Sequence, residues 1–193
     1  MGMMDRRTVL VTGLVGFLSA CGAIGPRPQL GPDGKPLPQV YNIAEQGEGT
    51  IAYRLLDSVN TLRAARGLTQ LAYNAELNAA AATHSRDMSL QNRPWHFGSD
   101  GSSPLTRVQR VGYTGRLVGE LISETYETEL ETLANWMRTP DQRAVLLDPA
   151  VTEIGFAWYQ ESNGKIWWTL VTGSRGGFAA PVAGGFGGAL PQG

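Results

Sequence analysis

The chain of 193 residues contains two histidines, and one of them, His96, lies among side chains that could take part in catalysis. The segment over residues 93–107 reads RPWHFGSDGSSPLTR, and it contains one carboxylate and three serine hydroxyls close to the imidazole: Asp100, Ser99, Ser102 and Ser103. A serine next to an imidazole that a carboxylate orients is the nucleophile of many hydrolases. The same residue types also form turns, because short polar side chains hydrogen-bond to nearby backbone N–H groups.

Two observations bear on the choice between a nucleophile and a turn. The segment contains no G-x-S-x-G motif, which is the turn that presents the serine of many hydrolases. The only cysteine, Cys21, lies near the start of the chain in a predicted lipidation sequence, so no thiol remains for nucleophilic catalysis. We favour the turn interpretation and keep the serine hydrolase as the alternative.

The elements that must position His96 are predicted first by helical periodicity. One apolar set recurs at helical spacing and ends before a helix-terminating glycine: Ile51, Leu55, Val59, Leu62 and then Gly67. A second helix begins after the N-cap residue Asn74 and carries one inward stripe: Leu77, Ala81, His84 and Met88. We therefore expect the His84 imidazole to point towards the core.

A third helix is predicted from Thr128, where Thr-Glu-Leu-Glu fits a capping box. Its expected buried side consists of Leu130, Leu133, Ala134 and Met137. Thr139 and Pro140 then begin a short helix that extends to Leu147, with proline at the first helical position.

The strands are predicted late in the chain. EIGFAWYQ and KIWWTLVT are rich in β-branched and aromatic residues, and the Asn163-Gly164 pair between them predicts a hairpin. Residues 115–123, GRLVGELIS, form a candidate third strand. Helices on both sides of such a sheet would make a layered α/β/α body, with large aromatic side chains in its core: Trp136, Trp158, Trp167 and Trp168.

The N-terminal segment predicts export and lipidation. Residues 1–20 combine two arginines, a short apolar run and small residues, which is typical of a signal peptide. The apolar run is about ten residues, whereas a membrane-spanning helix needs roughly 20. Leu-Ser-Ala-Cys before Gly22 resembles a bacterial lipobox, so Cys21 is the predicted lipidation site and membrane anchor. The arginine pair leaves both twin-arginine and general export open.

Domain boundaries follow from composition. Residues 21–45 form a Pro/Gly-rich tether, residues 46–173 form one domain, and residues 174–193 form a Gly-rich tail that we expect to be disordered. The formal net charge is −1, so no nucleic-acid partner is predicted.

Four blocks, in order, resemble the bacterial CAP superfamily of SCP-like domains, which includes cysteine-rich secretory, antigen 5 and pathogenesis-related proteins. They read VNTLRAARGLTQLAYNAELNAAAATHSRDM, HFGSDGSSPLTRVQRVGY, GEL and NWMRTPDQRAVLLDPAVTEIGFAW, and they extend over about residues 50–172. The resemblance implies an α+β fold, a three-layer α-β-α sandwich with a small antiparallel sheet. It also implies a central cleft, lined in many members by two histidines and one or two acidic residues.

The resemblance assigns residues to that cleft one by one. His96 matches the histidine that opens the H-x-G-S-D-G-x-S-P block, and Glu120 matches the glutamate of the G-E-N block. Gln142 stands where the second cleft histidine would fall, and Leu121 replaces the asparagine after the glutamate. Trp95 is the expected aromatic wall of the cleft.

These departures reduce the metal chemistry that the cleft could support. Zinc sites use at least three nitrogen, sulfur or carboxylate ligands, and an amide such as Gln142 is a poor ligand for zinc. His96 and Glu120 supply two, and His84 is the remaining weak candidate for a third. We therefore predict no metal or other cofactor.

The sequence favours a lipid-anchored protein of the bacterial cell envelope, facing the periplasm or the surface from the outer membrane. Its cleft, made by His96, Glu120, Gln142 and Trp95, would bind a small molecule, lipid, glycan or protein segment without catalysis. The alternative is a metal-dependent or serine hydrolase that uses His96 and Glu120. A third possibility is a structural spacer whose contacts are made by the tail.

Overall fold

The computed structural model describes residues 41–176. The predicted signal peptide, the lipidation site Cys21, the tether up to residue 40 and the tail from residue 177 lie outside the described residues. Within residues 41–176, no helix is both long and apolar enough to cross a membrane.

The centre of the fold is a four-stranded sheet in the order β1-β3-β4-β2. The strands are β1 (Ala72–Tyr73), β2 (Arg116–Thr125), β3 (Glu153–Gln160) and β4 (Ile166–Ser174). β3 and β4 form the predicted hairpin, and β2 pairs antiparallel with β4. β1 pairs parallel with β3, so the sheet is mixed instead of wholly antiparallel. A two-residue strand is too short to produce an alternating pattern, which is why the sequence did not predict β1.

Helices cover both faces of this sheet and confirm the three-layer α+β sandwich. They are α1 (Glu48–Ala64), α2 (Ala75–Gln91), α3 (Pro104–Arg110), α4 (Glu129–Arg138) and α5 (Pro140–Leu146), with a short 3-10 helix at Ile43–Glu45. Side chains of α1, α4 and α5 pack into one apolar cluster against the sheet, and side chains of α2 and α3 pack into the other.

Two of the predicted helix caps form side-chain hydrogen bonds, whereas the Thr139 side chain makes no capping hydrogen bond to α5. The Asn74 side chain accepts a hydrogen bond from the backbone N–H of Leu77, and Thr128 forms the full capping box with Glu131. The inward stripe of α2 is also confirmed, since Leu77, Ala81, His84 and Met88 are all buried. The sequence did not predict α3, which begins after the N-cap Ser103 with Pro104 in its first turn.

The predicted buried side of α4 is partly wrong. Leu133 is buried, but Leu130 and Ala134 are exposed, and the inward positions include Glu129 and Trp136. Trp136 packs edge-on against Phe156 in the sheet. Glu129 is 1% exposed because it accepts hydrogen bonds from Arg54 and Tyr41, and this partnering lets a carboxylate occupy an inward position.

The end of the domain lies one strand residue later than predicted. Ser174 belongs to β4, and the backbone N–H of Arg175 donates to the hydroxyl of Thr152. The guanidinium of Arg175 lies 3.3 Å from Glu76 and 3.5 Å from Glu153. The first residues of the predicted tail therefore contact the folded domain.

Gly155 allows α2 and the sheet to approach each other. A Cβ atom at this position would lie 2.2 Å from the backbone nitrogen of Asn78 and 2.2 Å from the carbonyl carbon of Leu77. These are backbone atoms of the helix that carries His84, so they cannot rotate away as a side chain would. The contact sets the distance between the middle layer and α2.

We predict that Gly155→Ala lowers the free energy of unfolding by about 3 kcal/mol, because overpacking against fixed atoms costs about 1–3 kcal/mol or more. Urea denaturation followed by circular dichroism measures the change. Gly49→Ala is the matched control, since a Cβ there meets no atom within 4 Å. In a helix, this control should be as stable as the wild type or up to about 1 kcal/mol more stable. Equal stability of the two variants would contradict the prediction.

Candidate binding cleft

Glu120 is positioned by an irregularity in β2. The pairing of β2 with β4 shifts between Leu117 and Gly119, which is the signature of a β-bulge. After the bulge, Glu120 lies opposite Val171, a member of the apolar cluster under α2. The bulge thus directs the carboxylate to the α2 face of the sheet.

The Glu120 carboxylate is buried and satisfied on both oxygens. Its side chain is 3% exposed. Oε1 accepts from Nδ1 of His96 at 2.9 Å, and Oε2 accepts from the guanidinium of Arg107 at 2.7 Å. The carboxylate is the centre of the cluster, because it accepts from both of these side chains. Hydrogen bonds that involve an ionised group are stronger than neutral ones.

Arg107 connects the carboxylate to the segment that carries His96. Besides Glu120, its guanidinium donates to the backbone carbonyl of His96 at 3.1 Å and to that of Ser102 at 3.0 Å. Its side chain is 5% exposed. One buried cation therefore fixes both ends of the loop from residue 96 to residue 102.

The polar side chains of this loop are used for local structure. The backbone N–H and the hydroxyl of Ser99 both donate to Asp87, at 2.7 and 2.6 Å. The backbone N–H of Ser102 donates to Asp100, and the Ser103 hydroxyl accepts from the Thr106 backbone as the cap of α3. Hydrogen bonds from Ser102 and from the Arg110 guanidinium hold the pKa of the Asp100 carboxyl well below its usual range. These contacts support the turn interpretation.

The His96 imidazole is the accessible member of the cluster. Its side chain is 51% exposed. Because an ionised carboxylate only accepts, Nδ1 carries the proton in the bond to Glu120. In the part of the chain that the structure describes, Nε2 of His96 has no hydrogen-bond partner, so it can accept from a ligand when the ring is neutral.

His84 lies behind the same carboxylate and is fully buried. Its Nε2 donates to the backbone carbonyl of Trp95 at 3.0 Å, and lies 3.7 Å from Oε1 of Glu120. Its Nδ1 is buried without a partner among the described residues. Burial is the main cause that lowers the pKa of His84, since desolvation disfavours the imidazolium.

These residues do not fit a zinc ion. The nitrogen of His84 that faces Glu120 is occupied as the donor to Trp95, while both oxygens of Glu120 already accept hydrogen bonds. Across residues 41–176, no group of three His, Cys, Asp or Glu side chains is arranged to hold a metal ion.

Trp95 lies beside the cluster, whereas Gln142 lies elsewhere. The Trp95 indole donates to Gln91 and packs 5.5 Å from the ring of Phe97. Gln142 is on α5, which packs on the opposite face of β2 from Glu120, as shown by Val145 against Gly119. Within the described residues, no hydrogen bond joins Gln142 to His96 or Glu120, so its role in the cleft stays a prediction.

His84, which the sequence placed on an inward stripe and named only as a weak metal candidate, supports the segment that carries His96 from behind. Its place on the inward stripe of α2 was the available indication. Arg107 completes the site, since it pairs with the Glu120 carboxylate and with two backbone carbonyls.

Comparison with known proteins identifies the family. The model of the cysteine-rich secretory protein family, CAP, matches residues 56–172. The chain belongs to the CAP superfamily. YkwD of Bacillus subtilis (strain 168) is 27% identical over 114 residues, which cover 59% of this chain and 44% of YkwD. The chain therefore spans less than half the length of that relative.

Solved structures share the CAP fold. An extracellular protein with an SCP domain from Bacillus anthracis superposes with a TM-score of 0.62 at 23% identity, covering 77% of this chain and 45% of its own. An outer surface protein from Borrelia burgdorferi superposes with a TM-score of 0.60 at 16% identity, covering 64% of this chain and 92% of its own. At these identities, the likeness concerns the fold of the CAP domain.

We predict that the CAP domain loses stability as the pH falls below 6.5, the ordinary pKa of histidine. His84 has a lowered pKa when folded, so below pH 6.5 the unfolded chain binds a proton that the folded chain does not. The stability should fall by up to about 1.4 kcal/mol per pH unit until the folded pKa is reached.

Urea denaturation at pH 7.5 and pH 5.5 measures this loss. The variant His84→Gln, which retains a side-chain N–H donor, should show a smaller difference between the two pH values. Arg138→Gln, at an exposed position on α4, is the control and should keep the wild-type difference. An identical pH dependence in the wild type and His84→Gln would refute the assignment to His84.

Proposed function

We propose that this protein is a lipoprotein of the bacterial cell envelope whose CAP domain binds a ligand at the cleft around His96 and Glu120 without catalysis. The observation that carries the proposal is the pairing of an exposed imidazole with a buried carboxylate. Glu120 and Arg107 fix the His96 ring through its Nδ1 and its backbone, while Nε2 has no partner within residues 41–176. A preorganised hydrogen-bonding atom at a surface is suited to recognition.

The side chains next to His96 support a ligand with both polar and apolar parts. Phe97 is 49% exposed. It lies against Trp95, whose other neighbour is the Arg93 guanidinium, 3.7 Å from the indole centroid. An aromatic surface next to one imidazole and one guanidinium fits a glycan, a lipid headgroup, a small molecule or a protein segment.

The serine hydroxyls of the loop argue against covalent catalysis. Ser99 donates to Asp87, and Ser103 caps α3. Among the described residues, no serine hydroxyl hydrogen-bonds to His96. Attack by a serine would require the loop to give up contacts that hold its shape.

The envelope location rests on two observations. Cys21 follows a predicted signal peptide in a lipobox-like sequence. The relatives with the same fold include a protein described as extracellular and another described as an outer surface protein. An anchor on Cys21 would place the CAP domain at the outer membrane.

A hydrolase remains the second candidate function, because a carboxylate that accepts from Nδ1 orients the outer nitrogen of an imidazole as a general base. In this case, His96 would activate a water molecule, and Glu120 would stabilise the imidazolium. The hydrolase therefore uses the same two residues as the binding site. The two functions are distinguished by whether soluble products are formed from the bound material.

We predict that the purified chain, carrying Cys21→Ser so that no lipid anchor contributes, binds one of two envelope preparations: peptidoglycan sacculi, or vesicles of phosphatidylethanolamine and phosphatidylglycerol. His96→Ala should weaken co-sedimentation at least tenfold, since the outward hydrogen-bonding atom is lost. Arg138→Ala, an exposed position on α4, is the matched control and should bind as the wild type does. Binding that is equal in both variants would contradict the proposal, and soluble products released only by the wild type would establish the hydrolase.

We predict no submicromolar zinc binding by isothermal titration calorimetry, and no change in melting temperature when zinc is added, because the potential ligands are committed to hydrogen bonds. The wild type is compared with His96→Ala and Glu120→Ala. Submicromolar binding that disappears in both variants would show that zinc displaces these hydrogen bonds, and it would support the metalloenzyme.

A further inference from the structure

A second concave surface lies at the other edge of the sheet from Glu120. It is a cavity of about 320 Å³ between α1 and α2, and β3 forms its floor. Three partly or largely exposed aromatic side chains line its wall: Tyr53, Tyr73 and Trp158. The amide of Asn78 and several small residues complete the lining. Among the described residues, no charged side chain lines it. We call this surface the edge groove.

The edge groove contains unpaired strand backbone. The backbone N–H groups of Ala72 and Asn74 donate to the carbonyls of Thr152 and Ile154, so the peptide groups of even-numbered β3 residues point towards β1. The two residues of β1 pair with Glu153 and Ile154. Further along β3, at Trp158, no strand in the described part of the chain covers this edge. An extended segment could therefore add its backbone there.

A polar atom in the wall has no partner. Oδ1 of Asn78 is buried and accepts no hydrogen bond from any residue within 41–176. A buried carbonyl without a donor is costly, by about 1–3 kcal/mol. Asn78 lines the edge groove, so its amide is the polar group beside a segment bound there.

The C-terminal segment, residues 177–193, matches the groove in composition. It reads GFAAPVAGGFGGALPQG, and it has no charged side chain and two phenylalanines. Glycine and alanine allow close approach to the small residues that line the groove: Gly49, Ala52, Ala82 and Ala157. A phenylalanine ring would pack against the aromatic wall.

The C-terminal segment also begins within reach of the edge groove. Arg175 pairs with Glu76, in the first turn of the helix that supplies Asn78 to the groove. Trp158 lies five residues beyond Glu153, about 17 Å along β3 at 3.3 Å per residue. Phe186 is eleven residues beyond Arg175, and so can reach about 36 Å when extended. Phe178 reaches only about 10 Å, which is too short.

We infer that the C-terminal segment of the chain binds in the edge groove, with Phe186 against Tyr53 and Trp158 and the backbone along β3. This is an intramolecular interaction surface, separate from the cleft at Glu120. It does not depend on the proposed function, because the two surfaces lie at opposite edges of the sheet.

The test uses the full-length chain with the photoreactive residue p-benzoylphenylalanine at position 186. Irradiation should link position 186 to peptides that contain Tyr53 or Trp158, within a single chain. Ala82→Phe fills the edge groove from an exposed position on α2, and should lower this yield at least fivefold. Ala134→Phe, the same change at an exposed position of α4, should leave it unchanged.

A second measurement covers the case in which Ala82→Phe fails to fold. In the full-length chain, Phe186→Asp should speed hydrogen exchange at the Trp158 amide at least tenfold, because a carboxylate is disfavoured in an uncharged groove. Phe178→Asp is the matched control and should leave that exchange unchanged. Links only between chains, yields that Ala82→Phe does not alter, or equal exchange in both aspartate variants would overturn the inference.

Discussion

The buried ion pair between Glu120 and Arg107 is the interaction on which the candidate cleft depends. Both side chains are at most 5% exposed, and each lies on a different element, Glu120 on β2 and Arg107 on α3. Removing one member of such a pair leaves an uncompensated buried charge, at a cost of about 3–5 kcal/mol. The pair is thus worth more as a geometric constraint than as a source of stability, since it holds a helix, a strand and a loop in one arrangement.

The arrangement explains why the cleft is suited to recognition. The terminal nitrogens of Arg107 also donate to the carbonyls of His96 and Ser102, while its Nε is buried without a partner among the described residues. Movement of the loop would therefore leave a buried cation with fewer hydrogen bonds. His84 supports the loop from behind through the carbonyl of Trp95. The exposed member of this constellation is the imidazole ring of His96, and its orientation is set by Glu120. In the function that we propose, this ring would present its outer nitrogen to the ligand in a fixed orientation.

Two backbone features position the two surfaces of the domain. The irregularity between Leu117 and Gly119 reverses the parity of β2, which directs Glu120 towards α2 instead of α5. Gly155 lets α2 approach the sheet, which brings Asn78 to the edge of β3. Both features concern the face of the sheet that α2 covers: the irregularity turns Glu120 towards it, and Gly155 lies against the backbone of α2. The cleft and the edge groove therefore share a scaffold without sharing residues.

The sequence by itself determined the elements whose causes are local. Asn74 and Thr128 cap their helices, Asn163-Gly164 closes the hairpin, and the stripe containing His84 points inward, because hydrogen bonds and periodicity within a few residues decide these features. The CAP motifs also identified His96 and Glu120 as neighbours. Only the tertiary structure decided that Leu130 is exposed while Glu129 is buried, since Arg54 and Tyr41, distant in sequence, satisfy the carboxylate. It likewise decided that Gln142 lies across the sheet from Glu120, because a single bulge changes which face a strand residue occupies.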